Sequence, residues 1–526
     1  MRRDDGSREQ GKRSQVTTVL DKRKDPSSEP AFGVASHVVR PVNAKTEREL
    51  YASRQKIYPK LAHGTFRRVK WLMMAVTLGI YYALPWIRWH RGGDLPDQAV
   101  LIDMANNRYF FFFLEIWPQE FYYITGLLVL GALALFLVTS ITGRAWCGYT
   151  CPQTVWTDLM ITIERFWQGD RNQRIRLDKE RWGAAKLFRK VMTHLSWLAV
   201  GLLTGGALVF YFRDAPTLGR EFVSGTAPAV AYLFLGIFTL TTYLLGGIAR
   251  EQVCTYMCPW PRIQGAMTDR HTLLVGYREE RGEPRGPARK RPDGTVDWSR
   301  RGDCIDCKAC VVVCPAGIDI RDGSQLECIQ CALCIDACDK VMDRIGRPRG
   351  LIAYDTVARK EAKAAGRHEV IKLLRPRTAL YAALLALVAL VMLAGWLNRT
   401  ILEVNVLAER NPAYVLLSDG AIRNAYTVKI LNKLHEVRSF VIATQELAGA
   451  RVSIVGLDQS MDAPVTVPTD DLREFRVLVS VGRADLARLG GGTTPFGIVV
   501  TDIASGHVTK RNTHFRSPAN GDRNAP

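Results

Sequence analysis

The chain has 526 residues, 47% of them apolar, and a formal net charge of +20 at pH 7. That length exceeds one ordinary domain, and so basic a balance points to nucleic acid or to an anionic membrane surface. Long apolar runs flanked by Lys and Arg decide for membrane lipid over nucleic acid, and because all 12 cysteines fall in four spaced motifs, a disulfide scaffold is excluded and a reducing compartment implied.

Residues 1–65 are polar and charged, with runs such as RRDDGSREQGKR. They bury too little apolar surface to offset ordering entropy, so a disordered basic cytoplasmic tail is expected. Their apolar core starts too late for a secretory signal. Five apolar runs follow, at about Trp71 to Ile87, Phe121 to Ile141, Val191 to Phe212, Ala229 to Ile248 and Ala379 to Leu397. Each approaches the length that crosses ~30 Å of hydrocarbon. The first four form a four-helix membrane domain over 66–250, and the fifth is a transmembrane helix over 379–398. Lys and Arg crowd the loop after the second run (Arg144, Arg165, Arg171, Arg174, Lys186, Lys190), whereas the loops on either side hold mainly Arg91, Arg108, Arg213 and Arg220. The basic loops face the cytoplasm. The N-terminus and residues 249–378 are therefore expected inside a bacterial inner membrane, and the C-terminus outside. The 90–120 loop carries RYFFFFLEIWPQEF, either an interfacial segment or a cap over helix ends.

The second and fourth runs each end in C-x3-C-P: Cys147, Cys151 and Pro152, then Cys254, Cys258 and Pro259. Residues four apart share a helix face, so each pair should present two thiols together. The two pairs could converge on one site of up to four thiolates. Soft sulfur suits Cu(I), zinc or an iron–sulfur cluster. A redox dithiol and plain buried cysteines at helix ends are the other readings. His90, His194 and His271 do not pair inside a span, so membrane haem is not expected.

A cytoplasmic linker over 251–299 includes the second C-x3-C-P pair, and its later part is rich in Pro, Gly and Arg. A ferredoxin-like domain over 300–345 then carries Cys304, Cys307, Cys310 and Cys314, followed by Cys328, Cys331, Cys334 and Cys338. Both runs have C-x2-C-x2-C-x3-C spacing, in which three thiolates wrap one cubane and the fourth reaches the other. One [4Fe–4S] cluster is thus assigned to Cys304, Cys307, Cys310 and Cys338, and the other to Cys328, Cys331, Cys334 and Cys314. A pair of zinc knuckles is the competing reading. Pro315 follows the first run, but Asp339 follows the second. A connector over 346–378 leads into the fifth helix. Short alternating runs over 400–515, such as YTVKILNK and REFRVLVSVG, predict an immunoglobulin-like sandwich, and 516–526 a disordered tail.

The ordered set WCGYTCPQTVW, CTYMCPWPRIQ, CIDCKACVVVCPAGIDI, a last span and a β-sandwich resembles the CcoG family, also called FixG or RdxA, the cytochrome c oxidase accessory proteins. The fold class is then an α-helical integral membrane bundle of five spans, with an inserted two-cluster ferredoxin-like domain and a C-terminal all-β sandwich. The resemblance implies two [4Fe–4S] clusters and a part in assembling a cbb-type oxidase. It implies that Cu(II) is the substrate, reduced to Cu(I) in the cytoplasm; the two-cluster run and the paired inner-face motifs then point to Cys147, Cys151, Cys254 and Cys258 as the catalytic thiols. Partners would be an electron donor of unknown kind and a copper chaperone, transporter or oxidase assembly factor. The paired C-x3-C-P motifs also resemble NapH-type membrane ferredoxins, which leaves a quinol dehydrogenase subunit open. A non-enzymatic assembly scaffold is the third reading.

Overall fold

The computed structural model describes residues 56–518, apart from 92–94, 288–295, 399–401, 435, 458–463, 470, 487 and 490–491, together with 37, 39 and 41. Most of the tail expected over 1–65, and all but the start of that over 516–526, lie outside the described residues. Both packed regions extend further than expected. Ile57 and Ala62 are buried, and the last strand runs to Ser517. The chain divides into two compact units, one up to Met392 except Arg91–Leu95, the other beginning at Leu393.

In the first unit, helix α1 (Thr65–Ala83) precedes a small antiparallel sheet of β1 (Val100–Asp103), β2 (Arg108–Phe111) and β3 (Leu114–Ile116). This sheet answers the question of the 90–120 loop. Phe110 is buried, and Gln98 donates to the Phe210 carbonyl and accepts from the Ala215 amide, so the loop is a packing cap. Helix α2 (Tyr122–Thr142) leads through short α3 (Ala145–Tyr149) into amphipathic α4 (Pro152–Gln168) and α5 (Arg171–Lys179). Next come α6 (Ala184–Val209), α7 (Ala215–Ser224) and α8 (Ala229–Thr242), the last extended by a π turn at Tyr243–Ile248. Gly201 and Gly205 form a GxxxG stripe on α6. A Cβ at Gly201 would lie 2.8 Å from the Thr239 carbonyl of α8, and one at Gly205 3.0 Å from that of Leu235. Small residues let these backbones touch, as membrane helices require when no hydrophobic force drives them together.

Four helices among the described residues are long and apolar enough to cross a membrane: Tyr122–Thr142, Ala184–Val209, Ala229–Ile248 and, later, α15 at Pro376–Leu397. Helix α1 covers much of the first expected span but is not one of them. Its opening turns carry Arg67, Arg68 and Lys70, and the buried Arg67 and Lys70 face Asp158 of α4 at 2.7 and 3.7 Å.

Beyond α8 come α9 (Arg250–Gln252), a π turn at Val253–Met257, and α10 (Trp260–Met267). The cysteine-rich insert starts earlier than 300 and ends later than 345. Strand β4 (Leu274–Tyr277), from the expected linker, pairs with β5 (Ile352–Asp355), from the expected connector, in register Leu274↔Asp355 to Tyr277↔Ile352. Between them lie α11 (Glu279–Gly282), α12 (Ala309–Val312) and α13 (Leu333–Arg344). Helix α14 (Val357–Ala364) then leads to α15.

The second unit is an antiparallel sandwich. One sheet has β6 (Leu402–Ala408), β7 (Val415–Leu416), β8 (Ile422–Asn432), β10 (Ala450–Ile454) and β12 (Leu472–Val481). The other has β9 (Arg438–Gln445), β11 (Val465–Val467), β13 (Gly492–Asp502) and β14 (Val508–Ser517). Period-two alternation sends Tyr426, Val428 and Ile430 inward from β8 to meet Phe496, Ile498 and Val500 of β13.

Candidate functional site

Each cysteine run folds around the same backbone device. Asp306 and Lys308 have φ of 53° and 56°, and Gln330 and Ala332 have φ of 54° and 58°. These are left-handed non-glycine residues at identical offsets after Cys304 and Cys328. Each such residue costs about 1–2 kcal/mol and persists only where its surroundings overdetermine it. The turns aim successive amides into a concavity suited to negative charge. The amides of Ala309, Gln330 and Ile352 meet the sulfurs of Cys307, Cys328 and Cys338.

Helices α12 and α13 then exchange ligands. Cys304, Cys307, Cys310 and Cys338 line one cavity, with Arg321, Met342 and Leu351. Cys314, Cys328, Cys331 and Cys334 line the other, with Ile318 and Ala332, and Cys310 borders this cavity as well. The spacing assigns Cys310 to the first set, with Cys338 crossing to it and Cys314 crossing to the second. Among the described residues no three His, Cys, Asp or Glu side chains gather tightly enough for one metal ion. Four thiols around each cavity are a donor set that would hold an iron–sulfur cubane. Burial pushes the Cys314 thiol up to about 12 and that of Cys328 to about 11, so ligation of metal at these positions releases protons. Arg321 sits over the first set, 4.0 Å from the Cys304 sulfur, and is held by Asp306 and Asp319 at 2.6 Å each.

The C-x3-C-P pairs are built differently from expectation. Neither lies on one continuous helix face. Cys147 belongs to α3, but Cys151 is extended (ψ 126°) just ahead of α4. Cys254 lies in the π turn, and Cys258 is extended (ψ 121°) after it. The cause is Pro152 and Pro259, whose rings push the preceding residue out of the helical region. The four thiols nevertheless share one neighbourhood. Burial, then Cys151, pushes Cys147 up to about 12; Arg144 opposes this, and Cys254 and Cys258 add to it. Cys254 rises to about 11 by burial, then by Cys151 and Cys258, against Lys70. The Cys147 thiol donates to Gln264 Oε1 at 3.1 Å. Met257, which the sequence sets between two of the thiols, is exposed.

The first pair also rests directly on the second cluster loop. A Cβ on Gly148 would lie 2.9 Å from the Ile329 carbonyl and 3.2 Å from the Cys331 Cα. Tyr149 donates to the Cys331 carbonyl at 3.3 Å, and Tyr354 to that of Gln330 at 2.9 Å. Sequence reasoning missed Arg144, Gly148 and Gln264. Gly148, between two cysteines of a repeated motif, was the one available signal of close backbone approach. The histidines stay outside: His194 bonds the Tyr243 hydroxyl at 3.0 Å, and His90 and His271 face Asp97 and Glu369.

Comparison with known proteins agrees with this layout. Residues 249–357 match the 4Fe-4S dicluster domain family, 124–168 a 4Fe-4S binding domain family, and 392–518 the IG-like fold at the C-terminal of FixG. The chain is 47% identical over 508 residues to the nitrogen fixation protein FixG of Rhizobium meliloti, covering 91% of this chain and 96% of that one. It is 49% identical over 474 residues to protein RdxB of Cereibacter sphaeroides, covering 90% and 98%. To protein RdxA of the same organism it is 51% identical over 419 residues, covering 79% and 87%. Crossed cysteine sets, apolar helices and a C-terminal sandwich thus come together in one chain, which belongs to the FixG/RdxA family of membrane iron–sulfur electron-transfer proteins.

Proposed function

We propose that this protein is a cytoplasmic-side cupric reductase that supplies Cu(I) for assembly of a cbb-type cytochrome c oxidase. The observation that carries the reading is the seating of Gly148, between Cys147 and Cys151, on the loop of Cys328 and Cys331. Bound [4Fe–4S] clusters supply single electrons, one for each Cu(II) taken to Cu(I), drawn from a reduced cytosolic donor or a quinol. Cys147, Cys151, Cys254 and Cys258 bind the ion, and thiolates favour the softer product. Gln264 orients Cys147 through their hydrogen bond. The topology is five spans in a bacterial inner membrane, with α1 as the first, the clusters inside and the sandwich in the periplasm, where it docks an assembly partner. A copper chaperone, transporter or oxidase assembly factor receives the Cu(I).

Copper reduction by purified protein tests this. A Cys147→Ala, Cys254→Ala double variant with full iron content should lose most of the rate; wild-type turnover from it would sink the thiol site. A second reading, a quinol dehydrogenase subunit feeding another reductase, rests on the resemblance of the paired C-x3-C-P motifs to NapH-type membrane ferredoxins; the region of Cys147 and Cys151 matches a 4Fe-4S binding domain family. Cluster reduction by a quinol analogue without copper turnover would select it.

A further inference from the structure

Arg144 does something that no loop charge need do. Its backbone amide donates to Gln330 Oε1 at 2.8 Å. Its guanidinium donates to the Cys328 carbonyl at 3.2 Å, to the Leu326 carbonyl, and to the Pro261 carbonyl at 2.8 Å. Pro261 lies three residues beyond Cys258. One side chain, 7% exposed, therefore ties together the turn of Cys147, the turn after Cys258 and the loop that carries Cys328 and Cys331. Gly148 closes the same contact from the other side, since a Cβ there would strike the Ile329 and Gln330 carbonyls. Among the described residues, none that lines the cavity of Cys304 and Cys338 comes from these turns.

We infer that Arg144 is a positioning residue that fixes the inner thiols against the second cysteine set alone and puts a permanent positive charge between them. The second cluster is then the one that faces the thiols, and the first lies upstream. A buried cation favours the more negative, reduced state of whatever lies beside it. At an effective dielectric near 20, a unit charge within about 10 Å is worth roughly a tenfold change in an equilibrium ratio. The inference builds on the proposed thiol site, but its test reads the clusters and not copper, so either can fail alone.

The experiment is an EPR-monitored redox titration of the full-length, cluster-loaded protein. Cys331→Ser and Cys307→Ser variants assign the signals to the second and first clusters. In Arg144→Gln the second cluster's oxidised-to-reduced ratio at fixed poise should rise about tenfold, which is about 59 mV for one electron, with the first unmoved. Arg144→Lys, which keeps the charge, should restore most of the difference. Unchanged midpoints, equal movement of both clusters, or a lysine variant with full iron that shifts as far as the glutamine one would each overturn the inference.

Discussion

Cys147 and Cys254 hold their protons at neutral pH, because burial and neighbouring sulfurs raise them to about 12 and about 11. A thiophilic cation must displace those protons to bind. Apparent copper affinity should therefore climb with pH throughout the range below these values, by up to about tenfold per unit for each thiol engaged. Calorimetry of Cu(I) binding in two buffers of different ionisation enthalpy counts the protons; a pH-independent affinity would contradict the burial argument. Ala332 offers a second residue-level test. Its φ of 58° suits no β-branched side chain, so Ala332→Val should cost about 1–3 kcal/mol and lower iron content at the second set, while Ala332→Gly should not. The cysteines themselves were legible in the sequence because cluster chemistry demands one residue type at fixed spacing. Arg144 and Gln264 were not, since their partners lie more than a hundred residues away and nothing local marks them.

At the scale of elements, α4 is anchored by a buried carboxylate. Glu164, 1% exposed, meets Arg174 of α5 at 3.1 Å, Arg250 of α9 at 2.9 Å and Lys56 at 3.4 Å. Burial alone would raise its pKa, but Arg250, Arg174 and Lys56 hold it at about 2, below the ordinary 4.5. A depressed carboxylate stabilises fully above its unfolded value and loses that contribution as the pH falls through the folded one. Acid should thus loosen the α4–α5–α9 junction between pH 4.5 and about 2. Glu164→Gln should remove that component and cost about 3–5 kcal/mol, because it strands paired cations in the interior; thermal unfolding in detergent against pH measures both. The α6–α8 contact makes a steric counterpart. Gly201→Leu would drive a side chain into the Thr239 carbonyl, and should lower Tm in the same assay by more than Gly236→Leu, where a Cβ meets nothing. The strong helices were readable from their apolar runs. The π turns and the proline breaks at Cys151 and Cys258 were misread, since C-x3-C taken alone says helix and only the following proline says otherwise.

For the whole molecule, the second unit has its own core of Tyr426, Val428, Phe440, Val479, Phe496 and Phe515. Residues 402–518 expressed alone should unfold in one cooperative transition, which calorimetry detects. Alternating strands made this unit legible in outline, but sheet order depends on pairings that sequence spacing does not encode. The same limit hid β4, whose four residues LVGY carry no strand signal until β5 arrives from 75 positions away to pair with them. That pairing has a consequence for how such a chain is assembled. The insert leaves and rejoins the helical part at a single seam, its first and last strands lying side by side. Its length therefore does not set the path of the backbone at the seam: a tight hairpin in place of 278–351 would hand the chain onward at the same point and in the same direction. The seam thus sets where the ferredoxin portion leaves and rejoins the chain, while the contacts of Arg144, Gly148 and Tyr149 with its second loop set how it is aimed.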